Sequence, residues 1–238
     1  MTKIIDLTFD INLKNPNWKL EMPYNVGDPE WKAEMPEGYF KVIPWVYGLD
    51  NTLVEYITMW SHVGTHIESP YHQESGRPTI GEIPIESLVG EGVILDLTPT
   101  IKEEDYLTHE TEEEIKNRYG LPGPLLTEKH FKQFDNEIKN GDIVLLYTRL
   151  PIERRALISG KAAEWLISKG VKLVGVHDWS IIFTKEAHKK FLINNIPLIE
   201  TLVNLDKVKK RRVFIVALPL KIKGIGATPA RVIAIEDL

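Results

Sequence analysis

GDIVLLYT (141–148), GKAAEWLISKG (160–170) and VKLVGVHD (171–178) follow one another as an apolar β-branched run, an amphipathic stretch and a second apolar run. Read in order, they predict a buried strand, a helix and another buried strand. Moving outward, GVILDLT (92–98) and RVFIVALPL (212–220) have the same buried-strand character, while KIIDLTFDI (3–11) and LVEYITMWS (53–61) are strand-like. Helices are expected over 127–140 and 184–195 as well as 160–170, with Thr127 and Thr184 as N-caps. Strands alternating with helices indicate an α/β fold. Residues 14–37 hold four prolines and one glycine but also Trp18, Met22, Tyr24 and Trp31. Such a segment predicts a long ordered loop of the kind that often carries function. The acidic stretch 101–126 ends in the turn GLPGP and is expected to be a surface insertion. No internal repeat or low-complexity tract is present.

The chain has 238 residues, 43% of them hydrophobic, which is enough for a sizeable core in one domain covering 1–238. A net charge of −5 argues against a general nucleic-acid binder. With no Cys, thiolate nucleophiles, disulfides and Cys-ligated zinc are excluded, so any metal must sit on His and carboxylates. The N-terminus lacks the apolar core of a signal peptide, and no window approaches a membrane span. The expectation is a soluble, cytoplasmic protein that binds neither membranes nor nucleic acid.

Three of the seven histidines fall in His62-Val-Gly-Thr-His66-Ile-Glu68-Ser-Pro-Tyr-His72. His62, His66, Glu68 and His72 all occupy even positions, so in an extended segment they would share one face. A helix would also align His62 with His66, but Gly64, Thr65, Ile67 and Pro70 disfavour one. Two imidazoles and a carboxylate on one face can hold a hard or borderline divalent cation. A lone His is usually a structural hydrogen-bonder; three clustered with a carboxylate point to a metal or catalytic site. Pro70 biases Ser69 toward extended backbone, and a fully extended run would carry His72 about 13 Å beyond Glu68 at ~3.3 Å per residue. A turn at Pro70 would instead bring the imidazole close enough to move protons rather than to ligate.

HVGTHIESPYH resembles the H-x-G-T-H-x-D-x-P-x-H motif of the cyclase family of metal-dependent hydrolases, which includes bacterial kynurenine formamidase, isatin hydrolase and a metal-dependent dienelactone hydrolase. Further matches run in order along most of the chain: MPYNVGDPEW (22–31), NGDIVLLYT (140–148), AAEWLISKGVKLVGVHDWS (162–180), AHKKFLINNIPLIETLVNLD (187–206) and ALPLKIKGIGATPARVIAI (217–235). The resemblance implies a swivelling β/β/α domain with mixed central β-structure and flanking helices. It implies that His62, His66 and Glu68 ligate a metal, that His188 and Glu200 ligate a second, that His72 is the catalytic proton donor and acceptor, and that Trp18 contacts substrate. The cofactor would be one or two divalent ions, zinc or manganese, and the assembly a homodimer or homotetramer. The chain departs from the family at three places: Glu68 stands for Asp, Gln73 for Phe, and His177 for Asp.

The activity so implied is hydrolysis of an amide, lactam or N-formyl aromatic amine of small size. A divalent cation would lower the pKa of water to yield the attacking hydroxide, and His72 would pass the proton to the leaving group. No Gly-x-Ser-x-Gly elbow offers a rival nucleophile. The alternatives are lactone hydrolysis or dehydration at the same metal, and a metal-binding member without catalysis. GIGATPAR (224–231) lacks the phosphate-loop pattern, and KVKKRR (207–212) reads as a solvated turn. His109 and His130 are expected to be ordinary surface residues, and His177 either a polar contact or a structural residue at a strand end.

Overall fold

A computed structural model describes residues 2–11, 40–47, 52–106, 123–177 and 180–238. Its strands are β1 (Lys3–Asp6), β2 (Phe40–Tyr47), β3 (Thr52–Met59), β4 (His66–Glu68), β5 (Val89–Asp96), β6 (Leu125–Leu126), β7 (Ile143–Tyr147), β8 (Ala156–Ile158), β9 (Leu173–Val176), β10 (Ile181–Phe183), β11 (Leu198–Glu200), β12 (Arg212–Pro219) and β13 (Ala227–Glu236). The helices are α1 (Pro70–Gln73), α2 (Ile85–Leu88), α3 (Glu128–Phe131), α4 (Gly160–Ser168) and α5 (Lys185–Ile193).

The main sheet closes on itself. Its order is β13-β12-β5-β7-β9-β11-β4, and β4 pairs back onto β13. β5, β7, β9 and β11 run parallel. β12 and β4 are antiparallel to their neighbours. One edge of β13 is shared: residues 227–229 take β4, and residues 233–236 take β1. That sharing lets a seven-strand ring close while β1 remains attached. β2 and β3 form a separate antiparallel ribbon, and β10, β8 and β6 a small parallel sheet.

Side chains alternate across each strand, and the two sets build two cores. Ile94, Leu145, Ile199, Ile215 and Val232 point into the ring and fill it. Val93, Leu95, Val144, Leu146, Val174, Val176 and Leu198 point outward, where Ala162, Ala163 and Leu166 of α4 and Ala187, Phe191 and Leu192 of α5 cover them. Strands apolar on both faces read as continuous hydrophobic runs, the pattern of 143–147 and 173–176. Thr127 and Thr184 both stand at helix N-caps as expected, and the Thr184 hydroxyl accepts from the Ala187 N–H at 3.2 Å; Ser159, not singled out in the sequence, caps α4 by accepting from the Ala162 N–H at 3.2 Å.

Three expectations change. The helix expected over 127–140 is α3 followed by a 3-10 turn at Lys132–Phe134. Asp135, Asn136 and Asn140 are weak helix formers, and the Asp142 carboxylate accepts the Lys139 N–H at 2.8 Å, turning the chain into β7. The 101–126 stretch is not wholly a surface insertion, because β6 belongs to the small sheet and Asp105 is buried. His130 is also buried: its Nε2 lies 3.1 Å from Asp105 and its Nδ1 accepts the Thr127 N–H at 2.9 Å. The whole proline-rich segment 14–37 with Trp18 and Trp31, and also His109 and Asp178, lie outside the described residues. KVKKRR carries the expected surface charges, with Arg211 paired to Glu137 and Arg212 to Asp142.

Candidate metal centre

His66 and Glu68 lie two residues apart on β4 and so share its outward face, as their parity predicts. β11 runs antiparallel beside them, with Glu200 opposite His66 and Leu198 opposite Glu68. Glu200 therefore emerges next to His66, and its Oε2 lies 3.7 Å from His66 Nε2. α5 crosses this face and lowers His188 onto Glu68, Nε2 to Oε2 at 2.6 Å.

The other two histidines arrive by turns rather than along an extended strand. Residues 61–65 bend, with Gly64 in the left-handed region at φ +61°. The bend returns His62 to the site, where its Nε2 lies 3.1 Å from Glu68 Oε1. After Glu68 the chain enters α1 with Pro70 at its first position, where a missing N–H costs nothing. His72 thus sits one helical turn on, its Nε2 3.5 Å from Glu68 Oε1. The shared-face reading holds for His66 and Glu68; backbone reversal places His62 and His72. The imidazoles cluster accordingly, with ring centroids 4.9 Å apart for His62–His66, 4.7 Å for His62–His72 and 5.5 Å for His72–His188.

Glu68 is the hub. Its side chain is 3% exposed and meets all four imidazoles. Burial pushes its pKa up, but His188, His62 and His66 outweigh this and hold it well below the usual carboxylate range. Burial depresses His66, yet Glu68, Glu200 and the Gly64 carbonyl raise it to about 9. His188 is raised too, with Glu68 overcoming its burial. His72 moves the other way: burial first, then the neighbouring imidazoles, lower its pKa against the pull of Glu68.

Two donor triads share Glu68: His62, Glu68 and His72, and His66, Glu68 and Glu200, the donor atoms of each within 4.8 Å of one another. The Nε2 atoms of His62 and His66 are buried and turned toward Glu68, 3.1 Å and 3.8 Å from its Oε1, but neither makes a well-aligned hydrogen bond among the described residues. An imidazole nitrogen aimed at a carboxylate in this way can release its proton and ligate a cation instead. The outer nitrogens are held: Nδ1 of His66 donates to the Gly64 carbonyl at 2.8 Å, and Nδ1 of His62 lies 2.9 Å from Ser61 Oγ. Such partners set the tautomer and aim Nε2 inward. The oxygen and nitrogen donors fit zinc or manganese.

The six residues that the resemblance assigns to metal binding and proton transfer, His62, His66, Glu68, His72, His188 and Glu200, meet at this one place. His177 lies apart at the end of β9, its Nδ1 3.1 Å from Ser180 Oγ and its pKa lowered by burial. Sequence reading passed over the supporting groups Ser61 and Thr65; their one visible signal was adjacency to His62 and His66.

Comparison with known proteins places the chain in context. The family described as "Putative cyclase" matches residues 5–181. The kynurenine formamidase of Paracidovorax citrulli is 26% identical over 191 residues, covering 76% of this chain and 78% of its own. A predicted metal-dependent hydrolase from Bacillus stearothermophilus superimposes with a TM-score of 0.67 at 27% identity, covering 99% of this chain and 98% of its own. Isatin hydrolase A from Ralstonia solanacearum shares the fold, with a TM-score of 0.69 at 20% identity over 99% of this chain and 92% of its own.

Proposed function

The chain belongs to the cyclase family, and from that premise we propose that it is a metal-dependent hydrolase that cleaves the C–N bond of a small amide, lactam or N-formyl aromatic amine. The observation that carries the reading is the convergence of four histidines and a second carboxylate, Glu200, around buried Glu68, with donor atoms close enough to share an ion. The activity of the kynurenine formamidase it resembles supports the substrate class.

When bound, a zinc or manganese ion supplies Lewis acidity and lowers the pKa of nearby water. His62, His66 and Glu68 would hold the first ion, and His188 and Glu200 would complete the site or hold a second. Glu68 would supply negative charge to the cation, while the imidazoles would release their protons to ligate it. His72 moves the proton between water and leaving group. Its lowered pKa leaves it neutral at pH 7 and able to accept. It is also the most exposed of the four imidazoles, at 34% for the side chain, so it faces incoming substrate. Trp18 is proposed to contact the substrate's ring.

The test is hydrolysis of N-formylkynurenine, isatin and a panel of lactones by the purified chain, before and after chelation and re-addition of zinc or manganese. Chelator-sensitive cleavage of the formamide or lactam supports the reading. Cleavage of lactones alone moves the substrate class to esters, and full activity after metal removal refutes the metal role.

A further inference from the structure

The β4–β11 ladder ends abruptly beside the metal centre. The register pairs Leu198 with Glu68, Ile199 with Ile67 and Glu200 with His66, so Thr201 would next stand opposite Thr65. It does not continue the ladder, because Thr201 takes φ +59°. A β-branched residue in the left-handed region is a conformational outlier that persists only where its surroundings hold it. What meets the displaced backbone is a side chain: Thr65 Oγ1 donates to the Thr201 carbonyl at 2.5 Å. The same oxygen accepts the Phe9 N–H at 2.8 Å, and the Thr65 carbonyl accepts the Ala230 N–H at 2.9 Å. Thr65 is fully enclosed, at 1% exposure.

We propose that Thr65 is a positioning residue for the metal centre: its hydroxyl clamps the strained Thr201 backbone to the entry of β4 and so fixes His66 and Glu200 relative to each other. His66 follows Thr65 directly and Glu200 precedes Thr201 directly, so the clamp joins the two ligand-bearing strands one residue from each ligand. The Phe9 contact ties in the N-terminal segment as well, and three separate stretches of chain meet at one oxygen. Valine matches threonine in shape but offers neither a donor to the Thr201 carbonyl nor an acceptor to the Phe9 N–H, so both of these bonds are lost. Serine keeps the hydroxyl.

The inference rests on the metal reading above, and its test separates the two. Zinc is titrated against metal-free wild type, Thr65→Val and Thr65→Ser, and the visible spectra of the cobalt-loaded proteins are compared. Thr65→Val should bind zinc roughly 10–100-fold more weakly, the usual range for losing a group that orients a ligand, and its cobalt spectrum should shift. Thr65→Ser should keep both properties near wild type. If Thr65→Val does not fold, Thr65→Ala is read against Thr65→Ser in the same way. A folded Val or Ala variant with lowered melting temperature but unchanged zinc affinity and cobalt spectrum would make Thr65 a stability residue only and overturn the proposal. A wild-type chain that binds no divalent cation refutes the metal reading itself, and this inference falls with it; wild-type binding with indifferent variants refutes this inference alone.

Discussion

Glu68 carries one methylene more than the aspartate of the motif it resembles, and the geometry uses that length. One carboxylate oxygen reaches His188 at 2.6 Å while the other lies 3.1 Å from His62 and 3.5 Å from His72. Glu68→Asp would withdraw the carboxylate by about one C–C bond, ~1.5 Å, beyond hydrogen-bond reach of His188. Zinc affinity should drop by roughly tenfold or more, since even outer-shell losses cost roughly 10–100-fold; isothermal titration would measure it, and an unaltered affinity would show that the backbone adapts. His72 calls for a different experiment, because its Nε2 belongs to one of the donor triads. Under the proposed role, His72→Ala keeps its zinc and loses roughly 10²–10⁴-fold in turnover, the range for a general acid–base group. Loss of zinc from that variant would make His72 a ligand. The identities and pairing by parity of His66 and Glu68 were legible in sequence, because a strand has a fixed period of two. The route of His62 and His72 was not, since it depends on the φ of Gly64 and on the helical turn begun at Pro70.

At the level of elements, α5 does for the site what β4 cannot: it brings His188 across from a distant part of the chain. The Thr184 hydroxyl caps its first turn, and the His188 N–H donates to the Thr184 carbonyl at 2.9 Å. Thr184→Ala should cost about 1 kcal/mol of stability, as other N-cap losses do, measured by urea unfolding. A larger effect on zinc affinity than on stability would mean that helix position, and not helix existence, matters to the site. The α3 region makes its own prediction. Burial pushes Asp105 up, but Lys129 at 2.5 Å, the Lys102 N–H and His130 overcome it and hold the carboxyl at about 2. A depressed folded-state pKa contributes stability that is fully present above the unfolded value near 3.8 and is lost as pH falls through about 2. The stability gap between wild type and Asp105→Asn should therefore be constant from neutral pH to about 4, then narrow towards pH 2. A gap that stays constant through that window would remove Asp105 from the acid response. Sequence reading placed His130 on the surface because amphipathic spacing cannot reveal that Asp105, from the preceding segment, lies under it.

For the whole molecule, closure of the ring sets the tolerances. Gly92 sits where a Cβ would lie 2.4 Å from the Ile143 carbonyl oxygen and 2.5 Å from the Ile215 side chain, between two neighbouring strands. Gly92→Val should destabilise the fold by about 3 kcal/mol or more, at or above the upper range for overpacking. A melting temperature near wild type would show that β5 can move outward without opening the ring. β1 pairs with β13 near both ends of the chain, which supports the proposal that residues 1–238 act as one unit; limited proteolysis yielding a stable sub-fragment would count against it. Leu218, Leu220 and Ile222 stand exposed past the last β5 partner of β12. The proposed homodimer or homotetramer would have a reason to cover such apolar surface. A monomer by sedimentation at micromolar concentration would refute that assembly.

The local rules of the chain were sufficient for the fold class and the donor inventory. Apolar β-branched runs with Gly at their borders specify buried strands, threonine caps specify helix starts, and the absence of Cys restricts metal donors to imidazole and carboxylate. These are properties of neighbouring residues, so they can be read from spacing alone. What needed the tertiary structure was every relation between distant segments: the return of β4 onto β13 that closes the ring, the antiparallel register that sets Glu200 beside His66, the descent of α5 onto Glu68, and the Thr65–Thr201 clamp. Such contacts are selected by the packing of the assembled strands and by the backbone angles of a few residues, and no local periodicity records them.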